Sequence, residues 1–202
     1  MLATAANCAL AGVTTYTNDT SLMGSVVGYA DFNALANNQS LLQYQEDGLE
    51  ISVNRNYYSW DAPGLDGSEM FYAGTGSLEL VDISLMSGDS FDDLEMQISS
   101  GWSSDGIGPV YLWIQIYNGD NLIQEIDLDT ITGEYVGLVG GGYDRVLIGS
   151  YVTAEIRDSH NADQRNAIAI DNLSAGNMVP SPSGAGLLLF GGMFGIRRNR
   201  AR

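Results

Sequence analysis

The sequence has no lysine, one histidine, one cysteine and 4 prolines among its 202 residues. The single cysteine, Cys8, excludes an intramolecular disulfide and a zinc site with several cysteine ligands. A Ser-His-Asp or Cys-His arrangement would have to use His160, and the polar segment around it, Arg157–Asp163, is typical of a surface loop. The sequence contains neither a nucleophile elbow nor a lysine-bearing phosphate loop. These absences predict a protein that is not an enzyme.

Positive charge is also scarce. All 8 basic residues are arginines, and half of them belong to the carboxyl-terminal end of the chain. The 25 acidic residues all precede Val179, so the part before the tail carries 4 positive and 25 negative side chains. Such a charge repels polyanions, and nucleic acid is therefore not an expected partner. Divalent cations are compatible with this charge, and so is a surface that is adapted only for solubility or salt.

The carboxyl-terminal tail combines three kinds of sequence. An apolar run from Gly184 to Ile196 lies between a proline-containing motif, Val179–Ser183, and an arginine-rich end. Its 13 residues are fewer than the roughly 20 of a typical membrane span, although the count from Val179 reaches 18. Arginines directly after such a run stay on the cytoplasmic side of a membrane. The tail is therefore expected to enter a membrane, with the preceding residues on its far side.

At these residues the chain resembles the PEP-CTERM sorting signal of Gram-negative bacteria. The motif has Ser181 where the family usually has glutamate, and the residues that match are Val179, Pro180, Pro182 and Ser183, with Arg197, Arg198 and Arg200 in the basic end. The resemblance implies an exported cell-envelope or extracellular protein, anchored transiently in the inner membrane. It also implies a partner, the membrane protease-transpeptidase called exosortase. The alternative interpretation is an ordinary buried or membrane-anchoring C-terminal helix.

The amino terminus resembles the end of a secretory signal. Ala9-Leu10-Ala11 fits an Ala-x-Ala cleavage pattern, but the charged start and the long apolar region of such a signal are missing. Either the true start codon lies upstream, or these residues form a short apolar strand. We therefore expect three regions: residues 1–12 as a signal remnant, residues 13–176 as an ectodomain, and residues 177–202 as the sorting and membrane-anchoring tail.

From Val13 onward, short runs of alternating apolar and polar residues are separated by Gly, Asn, Asp and Ser. The clearest is a β-hairpin in which Val110–Tyr117 and Leu122–Leu128 flank Asn118-Gly119, a pair that favours a type I′ turn. The triplet Gly140-Gly141-Gly142 predicts another turn. About eight strands of this kind predict an all-β, jelly-roll-like antiparallel β-sandwich followed by a short hydrophobic C-terminal helix. In the hairpin, period two predicts that one face receives Val110, Leu112, Ile114 and Ile116 and the other Tyr111, Trp113, Gln115 and Tyr117.

The ectodomain resembles the jelly-roll domains that often precede PEP-CTERM tails and are similar to carbohydrate-binding modules. The resemblance rests on Tyr44–Leu49, on Ile168–Leu173, and on Gly88–Phe91 before a strand. Such modules often hold a structural calcium ion between an acidic residue near the first strands and an aspartate in the last strand. The resemblance therefore implies a Ca²⁺ site formed by Asp171 with Glu46 or Asp47. Alternatively, Glu46-Asp47-Gly48 is only a turn and Asp171 only caps a loop.

Aromatic residues supply the candidate ligand contacts, because sugars stack their C–H faces on Trp and Tyr. The candidates are Trp113, Tyr111, Trp60 and Trp102, and the alternative for Trp113 and Tyr111 is packing under a covering loop. We therefore expect an exported surface or matrix protein that binds or organises exopolysaccharide without catalysis. Two other interpretations stay open. One is a structural, self-associating envelope protein with no sugar site, and the other is a polysaccharide-acting enzyme that uses paired carboxylates.

Overall fold

The structure, a computed structural model, describes residues 12–35, 42–53, 57–59, 69–73, 80–100 and 109–177. The predicted signal remnant, apart from Gly12, and the sorting tail from residue 178 onward lie outside these residues, as do Trp60 and Trp102. Predictions about them stay predictions. Across the ranges that are described, no helix is long and apolar enough to span a bilayer.

The described residues form fourteen strands and very little helix. The strands are β1 (Thr14–Asn18), β2 (Gly28–Ala30), β3 (Gln43–Glu46), β4 (Leu49–Ser52), β5 (Tyr57–Ser59), β6 (Phe71–Ala73), β7 (Val81–Leu85), β8 (Phe91–Ser100), β9 (Pro109–Asn118), β10 (Asn121–Ile131), β11 (Tyr135–Tyr143), β12 (Arg145–Tyr151), β13 (Arg165–Asn166) and β14 (Ile168–Gly176). A single α-helical turn, α1 (Ala154–Asp158), and a 3-10 turn at Ala162–Gln164 lie between β12 and β13.

The strands form two antiparallel sheets. Sheet A has the order β1-β11-β8-β14-β6-β5, with β2 pairing with β14 beside β6. Sheet B has the order β10-β9-β12-β7-β4-β3, with β13 pairing with the end of β12. All the pairings are antiparallel. The prediction of an all-β, jelly-roll-like sandwich is confirmed.

The core lies between the two sheets and follows the period of two in their strands. In β9 the four predicted apolar residues are fully buried, whereas Tyr111, Trp113, Gln115 and Tyr117 alternate with them and are half-buried. Sheet A contributes the facing layer, in which Leu94, Met96 and Ile98 of β8 are also fully buried. One core therefore joins both sheets, and each sheet keeps a second, outer face.

The predicted hairpin is confirmed, but its turn is displaced by one residue. Asn118 pairs with Asn121, so the two central residues are Gly119 and Asp120 rather than Asn118 and Gly119. Gly119 has a φ of 56°. A positive φ at the first central residue alone is typical of type II′ rather than the predicted type I′ turn. A bulge between Leu122 and Gln124 then shifts the register of β10.

The glycine triplet is not the predicted turn. Residues Gly140, Gly141 and Gly142 all have positive φ and lie inside β11, where the register with β8 shifts between Val139 and Tyr143. This is a bulge, because the extra residues are absorbed within one strand while pairing resumes at Tyr143. The chain turns only afterwards, at Asp144, before β12.

Candidate functional site

The outer face of sheet B carries a cleft of about 320 Å³. Strands β4, β7 and β12 provide most of its lining, since Ser52, Asp82 and Leu147 are neighbours across these strands. The residues that line it are Ser52, Val53, Leu80, Asp82, Arg145, Leu147 and Arg165. The cleft thus combines aliphatic surface with one carboxylate, two guanidinium groups and a hydroxyl.

An ion pair between Asp82 and Arg145 forms the polar centre of the cleft. Arg145 Nε lies 3.0 Å from Oδ1 and 2.9 Å from Oδ2 of Asp82, and Arg145 Nη2 lies 2.5 Å from Oδ2. This hydrogen bonding raises the pKa of Arg145 above its ordinary value. The Arg145 guanidinium also lies 5.6 Å from the centroid of the Tyr117 ring. Because the side chains stay 45% and 25% exposed, both groups are accessible to a ligand.

All the arginines of the described residues lie on this face. Arg145 and Arg165 line the cleft, and Arg157 lies beside it over Tyr111. Carboxylates are more numerous on the same face, with Glu125, Asp127 and Asp129 exposed on the edge strand β10. The face is therefore rich in paired charges but is not basic, and it suits hydroxyl groups better than anions.

Trp113 and Tyr111 lie on the same outer face, under a covering segment. The His160 ring stacks on Trp113 with centroids 4.5 Å apart and an interplanar angle of 17°. Arg165 lies 5.6 Å from the centroid of the Trp113 ring, and Arg157 lies 6.0 Å from that of Tyr111. Trp113 and Tyr111 are thus half-buried, and a loop packs over them, as in the alternative to ligand contact.

Arg157 attaches this covering segment to the sheet. It is the one buried residue of α1, and it bonds Asp158 and the β10 residue Asp129, with Asp127 3.7 Å away. Burial lowers the pKa of Arg157, but hydrogen bonds to Asp158 and Asp129 outweigh it and raise the pKa above the ordinary value. His160 Nε2 lies 3.1 Å from Asp127 Oδ1, which adds a second polar attachment.

The three predicted calcium ligands are not brought together. Glu46 and Asp47 belong to the β3–β4 hairpin of sheet B, whereas Asp171 is fully buried in β14 of sheet A. Glu46 already accepts hydrogen bonds from Phe32 N and the Tyr44 hydroxyl, and Asp171 accepts one from Asn172 N. Within the described ranges, no three His, Cys, Asp or Glu residues are grouped to hold a metal ion. The three residues therefore form no such group, and a calcium site that uses Asp171 with Glu46 or Asp47 stays a prediction.

Sequence reasoning missed Asp82 and Arg145, which are 63 positions apart in the chain. The available signal was indirect: Asp82 interrupts the apolar residues Val81 and Ile83, and Arg145 is one of only 4 arginines before the tail. It also missed α1. The signal there was Thr153, whose hydroxyl accepts a hydrogen bond from Ile156 N and caps the helical turn.

No protein-family model matches the chain, and no curated protein matches it. Among solved structures it is similar to a mutant of a family 29 carbohydrate-binding module, with 14% identity and a TM-score of 0.34 over 84% of this chain and 99% of that one. It is also similar to a family 11 module from Clostridium thermocellum in complex with a beta-1,3-1,4-mixed-linked tetrasaccharide. That match has 13% identity and a TM-score of 0.35 over 78% of this chain and 100% of the other. Similarities this weak carry no argument about what the chain binds.

Proposed function

We propose that this protein binds a neutral polysaccharide, without catalysis, through the cleft on the outer face of sheet B. The observation that carries the proposal is the exposed Asp82–Arg145 pair between the aliphatic side chains of Leu80 and Leu147. A sugar presents both hydroxyl groups and apolar C–H faces, so it can hydrogen-bond to the pair and contact the aliphatic walls together. A net charge of −17 for the whole chain disfavours acidic polysaccharides.

The geometry of Asp82 also supports binding over glycoside cleavage. Both of its carboxylate oxygens accept hydrogen bonds from Arg145, which fixes the group as an acceptor. Glycoside hydrolysis needs two carboxyl groups flanking one bond, and among the described residues that line this cleft Asp82 is the one carboxylate.

A binding experiment tests the proposal. Affinity electrophoresis through gels that contain a panel of neutral polysaccharides should retard the wild-type protein. Asp82→Asn should lower the affinity measured from the retardation about tenfold or more. Glu125→Gln is the matched control, because it removes an exposed carboxylate from the same face of sheet B but outside the cleft. Equal retardation of the wild type and Asp82→Asn, or no retardation in any gel, would refute the proposal.

Export and sorting by an exosortase-like system belong to the same proposal, supported by the three-part order of the tail. Intact-mass measurement of the protein from cells with and without an exosortase should show loss of the tail only in the former. Replacing Arg197, Arg198 and Arg200 with Ser should abolish that loss. An unprocessed chain in both strains would show that the tail is only an anchor.

Calcium remains a separate proposal that rests on the family resemblance. A structural ion that binds only the folded state raises the Tm. A rise in Tm on calcium addition that is reversed by chelator and lost in Asp171→Asn would support it. No change in Tm would refute the calcium proposal. The polysaccharide proposal does not depend on that result.

Self-association is a second candidate function, favoured by an apolar region at one end of the sandwich. Val27 and Met86, which are 44% and 53% exposed, line a hollow of about 540 Å³ there together with Asn177. If two copies associate through this region, Met86→Asp should abolish the association in sedimentation equilibrium. Ile131→Asp is the control, because Ile131 is 54% exposed but does not line the hollow. Monomeric wild-type protein would exclude this candidate.

A further inference from the structure

The segment between β12 and β14 that covers Trp113 is held mainly by polar contacts. We define it as the cover, residues Val152–Asn166. Arg157 is its one buried residue, and the others are exposed or half-buried. Its sheet pairing is limited to two positions, Ser150↔Asn166 and Tyr151↔Arg165. Local opening is favoured where few apolar contacts are buried, so the cover can separate from the sheet without disrupting the core.

Backbone geometry within the cover is also unfavourable. His160, the residue that stacks on Trp113, has a φ of 48°, in the left-handed region that costs free energy for a residue with a side chain. Its backbone is held there by a hydrogen bond from His160 N to Arg157 O at 2.7 Å. Because this bond joins two residues of the cover, it fixes the orientation of the His160 ring within the cover.

The cover separates Trp113 from the cleft that is proposed to bind polysaccharide. Arg165 lines the cleft and also lies over the Trp113 ring. Between the two lies Gly149, the cross-strand neighbour of Trp113, where a Cβ atom would be 3.0 Å from Leu80 Cδ2 and 3.6 Å from Arg165 Nε. Because Gly149 has no side chain, the surface between Leu80 and Trp113 is covered there by Arg165, which belongs to the cover.

Trp113 has an unused hydrogen-bond donor. Its Nε1 atom is buried and has no hydrogen-bond partner among the residues that the structure describes. An unsatisfied buried donor is costly, and a ligand hydroxyl that replaces the cover would accept this hydrogen bond. A sugar ring would at the same time take the position of His160 against the indole.

We infer that the cover is displaced when polysaccharide binds, and that Trp113 then extends the Asp82–Arg145 cleft as a stacking surface. The inference rests on the proposed function, and it adds a closed state that competes with the ligand. In the closed state, His160 occupies the Trp113 surface. Opening exchanges the His160 stack for a stacked sugar ring, so any change that weakens the cover strengthens binding.

The test uses His160→Ala, which removes the stacking ring and leaves Trp113 in place. Opening is measured without ligand, as acrylamide quenching of tryptophan fluorescence in the full chain with Trp60→Phe and Trp102→Phe, so that Trp113 is the reporter. His160→Ala should increase quenching, while Glu155→Gln, at an exposed residue of α1, should not. Unchanged quenching in His160→Ala would overturn the inference.

Binding is then measured on the full chain that carries His160→Ala alone, with the polysaccharide that retards the wild type most. Affinity should increase about 2- to 10-fold, which corresponds to the loss of one aromatic stacking contact in the closed state. Increased quenching with unchanged or weaker affinity would show that the ligand does not use Trp113, and would also overturn the inference. In that case the proposed function would still stand, because retardation of the wild type would still depend on Asp82. If no polysaccharide binds either protein, the proposed function fails and the inference fails with it.

Discussion

The side-chain amide of Gln124 forms two hydrogen bonds with the main chain of Val13. Val13 N donates to Gln124 Oε1 at 2.9 Å, and Gln124 Nε2 donates to Val13 O at 3.0 Å. Val13 precedes β1, the edge strand of sheet A, while Gln124 lies at the bulge of β10, the edge strand of sheet B. The amide thus satisfies the backbone groups that a neighbouring strand would otherwise pair, and it joins the two sheets at their edges.

Gln124→Ala is expected to lower the free energy of unfolding by about 1–3 kcal/mol, because it leaves both half-buried backbone groups of Val13 without this partner. Gln124→Glu should also destabilise the protein, since a carboxylate accepts from Val13 N but cannot donate to Val13 O. Urea unfolding measures both changes. Gln115→Ala removes an equivalent amide whose bond to Glu125 is exposed, and it should change stability by less than about 0.5 kcal/mol. Equal effects at the two positions would contradict this account.

Asp93 gives the protein a pH-dependent stability. Burial on the outer face of sheet A raises the pKa of its carboxyl to about 6, and the nearby charges of Glu95 and Asp92 raise it further in the same direction. Tyr16 and Tyr143 also face this group. Its Oδ1 atom has no hydrogen-bond partner among the described residues. The folded state therefore binds a proton that the unfolded chain, with an ordinary pKa of 3.8, has already released.

The sign of the pH dependence follows from the difference between the pKa values of Asp93 in the folded and unfolded states. Below about pH 4 the carboxyl is neutral in both states and costs nothing, and between about pH 4 and 6 the folded state loses stability as the group ionises. Since Asp93 is half-buried and partly screened, the loss is roughly 1 kcal/mol, well below the full value of the shift. Asp93→Asn should raise the Tm at pH 8 and flatten its dependence on pH.

Asp89→Asn is the control for this effect, because it removes the same unit of charge from an exposed residue that precedes β8. It should leave the slope of Tm against pH between pH 4 and pH 6 as in the wild type. The change that it does cause should come from the general effect of removing one negative charge from an acidic surface. If Asp93→Asn lowers the Tm at pH 8, the carboxylate is favourable in the folded state and the predicted sign is wrong.

Local patterns in the sequence were sufficient for the strands and the core but not for the site. The alternation in Val110–Tyr117 fixes which side chains face inward, because a strand that is buried on one face tolerates only one register. The cleft depends on the pairing of β7 with β12, which brings Asp82 to Leu147 and close to Arg145. Pairing between strands so distant in the chain follows from the whole topology, so no local pattern indicates it.

The cover shows a different limit. The polar segment Arg157–Asp163 is predicted to be a surface loop, and its residues are exposed or half-buried except for Arg157, which is buried. Its contact with Trp113 depends on His160 in a left-handed conformation. Such a conformation is uncommon for residues other than glycine, and a hydrogen bond from His160 N to Arg157 O holds it. The sequence correctly indicates that Trp113 lies on the outer face, while the residue that covers it is determined by tertiary structure.

Gly137 is required by the ring of Tyr16, its cross-strand partner in β1. A Cβ atom at Gly137 would overlap the ring atoms Cε1 and Cζ of Tyr16, so Gly137→Ala must displace the ring. We expect a loss of about 1–3 kcal/mol from this overpacking, measured by urea unfolding. Gly24→Ala is the matched control, because a Cβ atom there would meet nothing within 4 Å and the residue does not have a positive φ.

A second measurement separates displacement of the ring from general strain in β11. Burial, followed by the charges of Glu95 and Asp93, raises the pKa of Tyr16 well above its ordinary value. In Gly137→Ala the displaced ring is more exposed to water, so the pKa of Tyr16 should fall toward that ordinary value. Ultraviolet absorbance against pH, with Tyr16→Phe to identify the transition, would show one tyrosine ionising at lower pH than in the wild type. Destabilisation with an unchanged tyrosine titration would mean that the ring stays in place and that the strand itself carries the strain.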